Sequence, residues 1–339
     1  ASRGHEAVCF VGPARTGKCL DVDTVVPVPA GWKRMGDLAA GDVVFGPDGK
    51  PTQVLEAHAV KHGLPCYRVE FSDGTHLIAD GEHLWGVERF YWKAPNWRYE
   101  VRSTTEIASE LTYSPRQDGS SRFRFRVRNT APVELPDADL PIDPYLLGVW
   151  LGDGATTQAA ISAHKDDAEH YVPLFEAAGH RAVVSPDGEN TVRIALDLRQ
   201  RLTTHCQRGH VFAEVGKASN GGCMECLRQG HHRRKYGKHM APLSMFADSF
   251  SSKLHALGVH GRKHIPQQYL RASVAQRTEL LRGLMDTDGC FDTRAGRVEY
   301  TTVLPELANG ICELARSLGF KPVVATKRTS WEYLGVRKV

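Results

Sequence analysis

No stretch of this 339-residue sequence approaches the ~20 consecutive apolar residues of a membrane-spanning helix, and its first residues lack the apolar core of a secretory signal. No membrane is expected among its partners, and the expected compartment is the cytoplasm. Charge of one sign is also in short supply. Lys and Arg total 43 against 39 Asp and Glu, a net +4, so a nucleic-acid partner requires the positive charge to be gathered in patches. Cysteine is sparse, with 8 in the chain. That count excludes the disulfide-dense miniprotein class, and a chain this long buries a core without staples. What is present is the balance of a globular protein, 41% hydrophobic and 24% charged, with a length corresponding to two domains of ~150 residues.

The first distinctive feature is an interrupted phosphate loop. Residues 6–11 have the make-up of a short buried strand and run into Gly12-Pro-Ala-Arg-Thr-Gly17-Lys18. In this G-x-x-x-x-G-K pattern backbone N–H groups cradle phosphates and the Lys reaches the outer ones. The next position calls for a Ser or Thr hydroxyl to bind Mg²⁺, but it holds Cys19, a soft ligand ill suited to that ion. An amphipathic helix should follow. Instead Leu20-Asp-Val-Asp-Thr-Val-Val-Pro27 is β-branched and Pro-punctuated and reads as strand. Either the match is a chance one in a Gly-rich turn, or two sequences meet at Lys18–Cys19.

A Cys directly after a carbonyl can serve as an internal nucleophile. Attack of the Cys19 sulfur on the Lys18 carbonyl would convert the amide into a thioester, a step favoured by proximity. His83 has the chemistry to polarise that amide and protonate the leaving nitrogen near neutral pH. Asp80 can accept a hydrogen bond from the imidazole and orient it. A buried structural Cys and an ordinary surface His are the alternatives. Three segments carry a resemblance: Cys19-Leu-Asp-Val-Asp-Thr-Val-Val, Gly36-Asp-Leu-Ala-Ala-Gly41-Asp-Val-Val-Phe45 and Gly74-Thr-His-Leu-Ile-Ala-Asp80-Gly-Glu-His83-Leu-Trp. Together they resemble the inteins, self-splicing protein inserts with a Hint-type fold. The resemblance implies the N-terminal part of an all-β splicing domain over residues 19–135, with Cys19, Asp80 and His83 as catalytic residues. The family's usual Thr-x-x-His is replaced by Asp80-Gly-Glu-His83. It further implies that residues 1–18 are an upstream segment of a bacterial or phage-encoded host ATPase, a phage terminase large subunit being one candidate. Gly12, Gly17 and Lys18 would be its phosphate-loop remnant.

The second half repeats itself. Leu146-Leu-Gly148-Val-Trp-Leu-Gly152-Asp153-Gly154 aligns with Leu281-Arg-Gly283-Leu-Met-Asp-Thr287-Asp288-Gly289 at an offset of 135 positions, and Phe175-Glu-Ala-Ala-Gly179 with Ala315-Arg-Ser-Leu-Gly319 at 140. Asp143-Pro144 supplies an N-cap followed by Pro at N1, and Ser273-Val-Ala-Gln276 a capping box. Each repeat reads as helix, hairpin, helix ending in Gly, then strand, with small residues at i and i+4 letting two helices approach. Gly154 and Gly289 are expected to supply C-terminal helix turns. Two such helices side by side would bring Asp153 and Asp288 together, an arrangement that calls for divalent cations. This pattern, with Lys263-His-Ile-Pro266, resembles the LAGLIDADG homing endonucleases. The resemblance implies an α+β pseudo-symmetric pair of αββαββα repeats over residues 140–339, incomplete at its C-terminus. Such a monomer would cut double-stranded DNA with Asp153 and Asp288 holding Mg²⁺. Lys263 is a candidate for stabilising charge at the active site or for a phosphate contact.

Between the repeats, Cys206-Gln-Arg-Gly-His210 and Cys223-Met-Glu-Cys226 supply four ligands of the right type for a structural Zn²⁺ in an insert over residues 203–235. His205 could replace His210. Arg233, Arg234, Lys235 and Lys238 follow in a basic run suited to DNA phosphates. Ser121-Arg-Phe-Arg-Phe-Arg-Val-Arg128 alternates strictly, so as a strand it would put Arg122, Arg124, Arg126 and Arg128 on one face. That face is either solvated or a DNA-contacting ridge.

The intein resemblance implies a C-terminal part with a His-Asn pair and a downstream nucleophile, and none occurs before Val339. The expectation is a truncated chain, or one half of a split intein whose partner is the C-terminal portion. Two alternatives to an intein with a nested endonuclease are a freestanding LAGLIDADG endonuclease and a zinc-containing DNA-binding module without splicing activity.

Overall fold

The computed structural model describes residues 7–8, 19–92, 95–113, 122–197, 210, 212–216, 223–228, 249–294, 296–326, 331–333 and 336–338. The chain is mixed α/β and divides into two compact units, residues 1–140 with 264–339, and residues 141–263. The first repeat therefore lies in one unit and the second in the other. Among the described residues no helix is long and apolar enough to cross a membrane.

The first unit opens with antiparallel strands: β1 (Ala7–Val8), β2 (Leu20–Asp21), β3 (Val25–Val28), β4 (Gly31–Arg34), β5 (Val43–Phe45), β6 (Pro51–Gln53), β7 (Cys66–Glu70) and β8 (His76–Asp80). Strands β1, β2, β8 and β7 form one sheet in that order, while β3–β4 and β5–β6 are separate hairpins. Met35 and Leu38 are buried, packed by Leu20, Val22, Val26, Val28 and Val44, so the β-branched run after Cys19 buries one set of its side chains there. The β7–β8 connection turns on Asp73-Gly74. Gly74 has φ +84 and the Asp73 carboxylate accepts from the Thr75 amide at 3.0 Å and its hydroxyl at 2.6 Å, the chemistry that makes Asp-Gly a hairpin signal.

Strands β9 (Leu84–Tyr91) and β10 (Asn96–Ser103) pair along eight residues each, from Tyr91 opposite Asn96 to Leu84 opposite Ser103. Helix α1 (Thr104–Ser109) follows directly, started by a reciprocal Ser103–Glu106 capping box. The alternating Arg segment contributes only β11 (Phe125–Arg126), paired to β9, and a bridge at Phe123.

The second unit is built on α2 (Pro144–Asp153), whose residues 145–151 are all buried. Asp143 caps it by accepting from the Leu146 amide at 3.2 Å, with Pro144 at N1. Strand β12 (Ala160–His164), helix α3 (Lys165–Ala177), and strands β13 (Ala182–Pro186) and β14 (Thr191–Leu196) follow, the sheet order being β12-β14-β13. The expected hairpin between the helices is reduced here to β12 and a single Gly154–Ile161 bridge. The Trp150 indole donates to the Gln158 carbonyl at 3.1 Å, holding the exit from α2 against the helix. Short helices α4 (Phe212–Val215) and α5 (Phe250–Ala256) complete the unit.

The remaining elements return to the first unit. Helices α6 (Gln267–Leu270) and α7 (Val274–Asp288) precede the hairpin β15 (Gly289–Asp292) and β16 (Arg297–Tyr300), then α8 (Pro305–Ser317) and the pair β17 (Trp331–Tyr333) and β18 (Val336–Lys338). The second repeat thus follows the expected helix–hairpin–helix order, and its Ser273–Gln276 capping box forms. The strand expected at residues 320–324 is absent; Phe320, Val323 and Val324 are exposed in an irregular segment. Helix α8 packs on the early hairpins. The Trp32 indole donates to Glu313 at 2.9 Å, and Arg271 pairs with Glu313 at 3.0 Å while lying 5.6 Å from the Trp32 ring.

Candidate functional site

Cys19 enters β2 with its thiol sealed from solvent at 1% exposure, packed on Leu64. Its neighbour in the sheet is Asp80, the last residue of β8, itself 7% exposed. The two residues clasp each other: the Asp80 amide donates to the Cys19 carbonyl at 3.0 Å, and the Cys19 amide donates to the Asp80 side chain at Oδ2, 3.4 Å away. The nitrogen facing the carboxylate is the one that joins Cys19 to Lys18. Asp80 Oδ1 is buried and has no hydrogen-bond partner among the described residues. On the other side of β8, Cys66 stands opposite Asp80; burial pushes its thiol pKa up, and the charges of Asp80 and Asp21 add to the shift. The expected orienting contact of Asp80 with an imidazole gives way to this position on the Cys19 amide.

A tight turn carries the chain from Asp80 to His83, whose amide donates to the Asp80 carbonyl at 3.2 Å. Gly81 is needed there, because a Cβ would lie 2.8 Å from the Thr105 hydroxyl and 3.3 Å from the Tyr67 ring. His83 is half-buried and its ring meets that of Trp85 edge-on, centroids 4.8 Å apart. Lys18, Gly12 and Gly17 lie outside the described residues.

The two Asp-Gly helix ends share one geometry. Gly154 (φ −72°, ψ 145°) and Gly289 (φ −82°, ψ 150°) both leave their helices extended, so neither forms the left-handed cap that the sequence pattern predicts. Glycine is required for a different reason. A Cβ on Gly154 would lie 2.2 Å from the Trp150 carbonyl oxygen, and one on Gly289 would lie 2.2 Å from that of Met285. The same constraint recurs at both Asp-Gly helix ends. Asp153 is half-buried, and beside it the buried Lys263 donates to the Gly152 carbonyl at 2.7 Å, its ammonium 5.4 Å from the Trp150 ring. Asp288 is exposed and accepts from the Tyr300 hydroxyl at 3.3 Å.

His210, Cys223 and Cys226 converge with their donor atoms within 4.8 Å of one another. His210 Nδ1 is 3.7 Å from Cys223 Sγ and 3.4 Å from Cys226 Sγ. A zinc tetrahedron with bonds of about 2.3 Å to sulfur and about 2.0 Å to nitrogen has N···S edges of about 3.5 Å, so the residues fit the ion. The Cys226 amide also points at Cys223 Sγ, 3.5 Å away. Cys206 and His205 lie outside the described residues, as do Arg233, Arg234, Lys235 and Lys238.

The alternating arginines are engaged within the sheet. Arg126 and Arg128 both donate to the buried Glu88, each at 2.6 Å, and hold its carboxyl below the ordinary range. Arg124 pairs with Glu110 at 3.4 Å and lies over Tyr113, Arg126 over Trp97 and Arg122 over Trp92. Phe123 and Val127 are exposed, and β11 is too short to carry the alternation along residues 122–128.

One buried group escaped sequence reasoning. Arg277 is fully buried in α7 and donates to the Ala272 carbonyl at 2.9 Å, the Ser317 carbonyl at 2.8 Å, the Ser317 hydroxyl at 2.6 Å and the Val133 carbonyl. Burial, and then the charge of Arg271, pull its pKa down to about 10, so it remains charged at neutral pH. No local signal marks it, since α7 also carries Arg282, which is exposed and pairs with Glu279 at 3.1 Å.

A family model described as a LAGLIDADG-like domain matches residues 275–338. The chain is 34% identical over 326 residues to the replicative DNA helicase DnaB of Mycobacterium intracellulare, covering 92% of this chain and 44% of that one. It is 51% identical over 129 residues to DnaB of Mycobacterium leprae (strain TN), covering 38% of this chain and 20% of that protein. The chain spans less than half the length of these curated relatives. Among solved structures, the Msm DnaB1 intein splicing domain bound with zinc is 40% identical, covering 25% of this chain and 77% of its own, with a TM-score of 0.20. The MchDnaB-1 intein is 38% identical, covering 31% and 65%, with a TM-score of 0.22. Superpositions that loose carry no structural weight. None of these comparisons supports a phage terminase as the host.

Proposed function

We propose that the chain is an intein whose splicing domain starts at Cys19 and which carries a LAGLIDADG homing endonuclease, set into a replicative helicase of the DnaB type. The observation that carries the splicing half is the clasp between Cys19 and Asp80. Attack of the Cys19 sulfur on the Lys18 carbonyl, with loss of the thiol proton, forms a C–S bond and breaks the C–N bond, and His83 returns one proton to the departing nitrogen, so the shift is proton-neutral. That nitrogen becomes the free α-amino group of Cys19. The Asp80 carboxylate, 3.4 Å from it in the amide state, would form a charge-assisted hydrogen bond to the ammonium form and so favour the thioester. An Asp in place of Thr thereby stabilises the product of the shift rather than the imidazole.

In the nuclease half, Asp153 and Asp288 would each offer a carboxylate to Mg²⁺, which would supply Lewis-acid activation at the scissile phosphate of double-stranded DNA. Lys263 adds positive charge beside Asp153, where its bond to the last turn of α2 fixes it. Arg122, Arg124, Arg126 and Arg128 offer a weaker phosphate surface, since Glu88 and Glu110 take up part of their charge. His210, Cys223 and Cys226, with Cys206, would hold a structural Zn²⁺ that lets a short polar insert fold, and Arg233, Arg234, Lys235 and Lys238 after it would contact phosphates.

The test is thiol-induced cleavage of the purified full chain. Dithiothreitol should release residues 1–18 by thioester exchange, read by mass spectrometry, and Cys19→Ala should abolish the release. A folded wild-type chain that stays intact would refute the splicing reading. A freestanding endonuclease would give that result while still cutting DNA in an Asp153- and Asp288-dependent way.

A further inference from the structure

The backbone places His83 by way of its turn, but the plane of an imidazole is not set by the backbone, because the sp³–sp² torsion at χ2 is broad. A general acid needs that plane held. The surroundings of His83 show what could hold it. Thr104, the first residue of α1 and buried, donates its amide to the His83 carbonyl at 2.9 Å, with its hydroxyl 3.4 Å from the same oxygen. The same hydroxyl accepts the Trp85 indole N–H at 2.9 Å. Anchored in this way, the indole stands edge-on to the His83 ring, 4.8 Å between centroids and 66° between planes, and is itself braced by Phe71 at 6.1 Å. One hydroxyl thus ties the backbone of His83 to the side chain that packs on its ring.

We infer that Trp85 and Thr104 are positioning residues for His83: the Thr104 hydroxyl locks the indole, and the indole fixes the plane in which the imidazole presents its N–H. This rests on the splicing reading for its purpose, though not for its geometry. Neither residue touches the Lys18–Cys19 bond in this account; both act through His83.

The test compares Thr104→Val, which keeps the shape and loses the hydroxyl, with Thr104→Ser, which keeps the hydroxyl, in the full chain. The rate of thiol-induced cleavage is followed from pH 5 to 9, and the His83 ring is observed by ¹⁵N NMR. General acid–base steps contribute about 10²–10⁴-fold, so a misoriented His83 should slow cleavage by about tenfold or more in Thr104→Val. Thr104→Ser should recover to within about threefold on the same scale. Trp85→Phe, which keeps a ring but loses the indole N–H, should match Thr104→Val. In both impaired variants the pH midpoint of cleavage and the His83 ring shifts should move together. Thr104→Val with wild-type rate and unchanged His83 resonances would overturn the inference, as would Thr104→Ser equally impaired. If the wild type shows no cleavage at all, the splicing reading fails, and the NMR comparison still decides whether the hydroxyl holds the ring.

Discussion

Replacing Arg277 by Met would remove the most heavily used buried donor among the described residues while keeping most of the side-chain volume. The guanidinium serves four acceptors: the carbonyls of Ala272, Ser317 and Val133 and the Ser317 hydroxyl. Two of these are backed up without it. The Ser317 carbonyl also receives the Val133 amide at 2.8 Å, and the Ser317 hydroxyl donates to Leu314 at 2.7 Å. The Ala272 and Val133 carbonyls lose a charged donor, and a buried carbonyl left unmatched costs about 1–3 kcal/mol. Relief from burying a cation, visible in the lowered pKa, offsets part of that loss. The expected net destabilisation is about 3 kcal/mol. For a unit of this size it lowers the melting midpoint by about 6–12 °C. Differential scanning calorimetry would read the midpoint, and hydrogen exchange at the Val133 amide would report the local loosening of the segment tied to α8. A variant as stable as the wild type, with unchanged exchange at Val133, would refute the assignment of Arg277 as the pin between the 131–134 segment and α7–α8.

Two further outcomes follow from the site chemistry. The full chain purified under reducing conditions should retain one equivalent of zinc, measured by atomic emission, and Cys223→Ser should release it; a metal-free wild type that folds normally would exclude the site at His210, Cys223 and Cys226. Glu88 has a carboxyl held low by Arg128 and Arg126, so its contribution to stability is present above the ordinary glutamate pKa of about 4.3 and is lost as pH falls through the lower folded value. The stability gap between wild type and Glu88→Gln should therefore be full at pH 6 and close below about pH 4, and a gap constant over that range would argue against the double arginine pairing.

Some of this protein was legible because it is written in short-range chemistry. The Ser273–Gln276 capping box and the Asp143-Pro144 helix start depend on residues a few positions apart, and each forms as its spacing predicts. The strict alternation of residues 122–128 failed for the complementary reason. A period of two states which side chains would share a face, but only pairing with β9 makes a strand, and that pairing extends over Phe125 and Arg126 alone.

The sequence by itself determined the kinds of chemistry available: a Cys in place of the phosphate-loop hydroxyl, two Asp-Gly helix ends and a set of soft metal ligands. Tertiary structure decided which groups meet. The Asp80 carboxylate sits on the Cys19 amide because β2 and β8 are neighbours in a sheet formed by residues 61 positions apart. Glycine ends both repeat helices because the extended exit brings the next Cβ position onto a carbonyl of the preceding turn, and not because a left-handed cap is needed. Arg277 could be recognised as a pin only once α8 and the 131–134 segment had been folded around it. Local pattern fixes an element's own hydrogen bonds, whereas long-range neighbours are selected by burial of the whole unit, and no window of sequence contains that information.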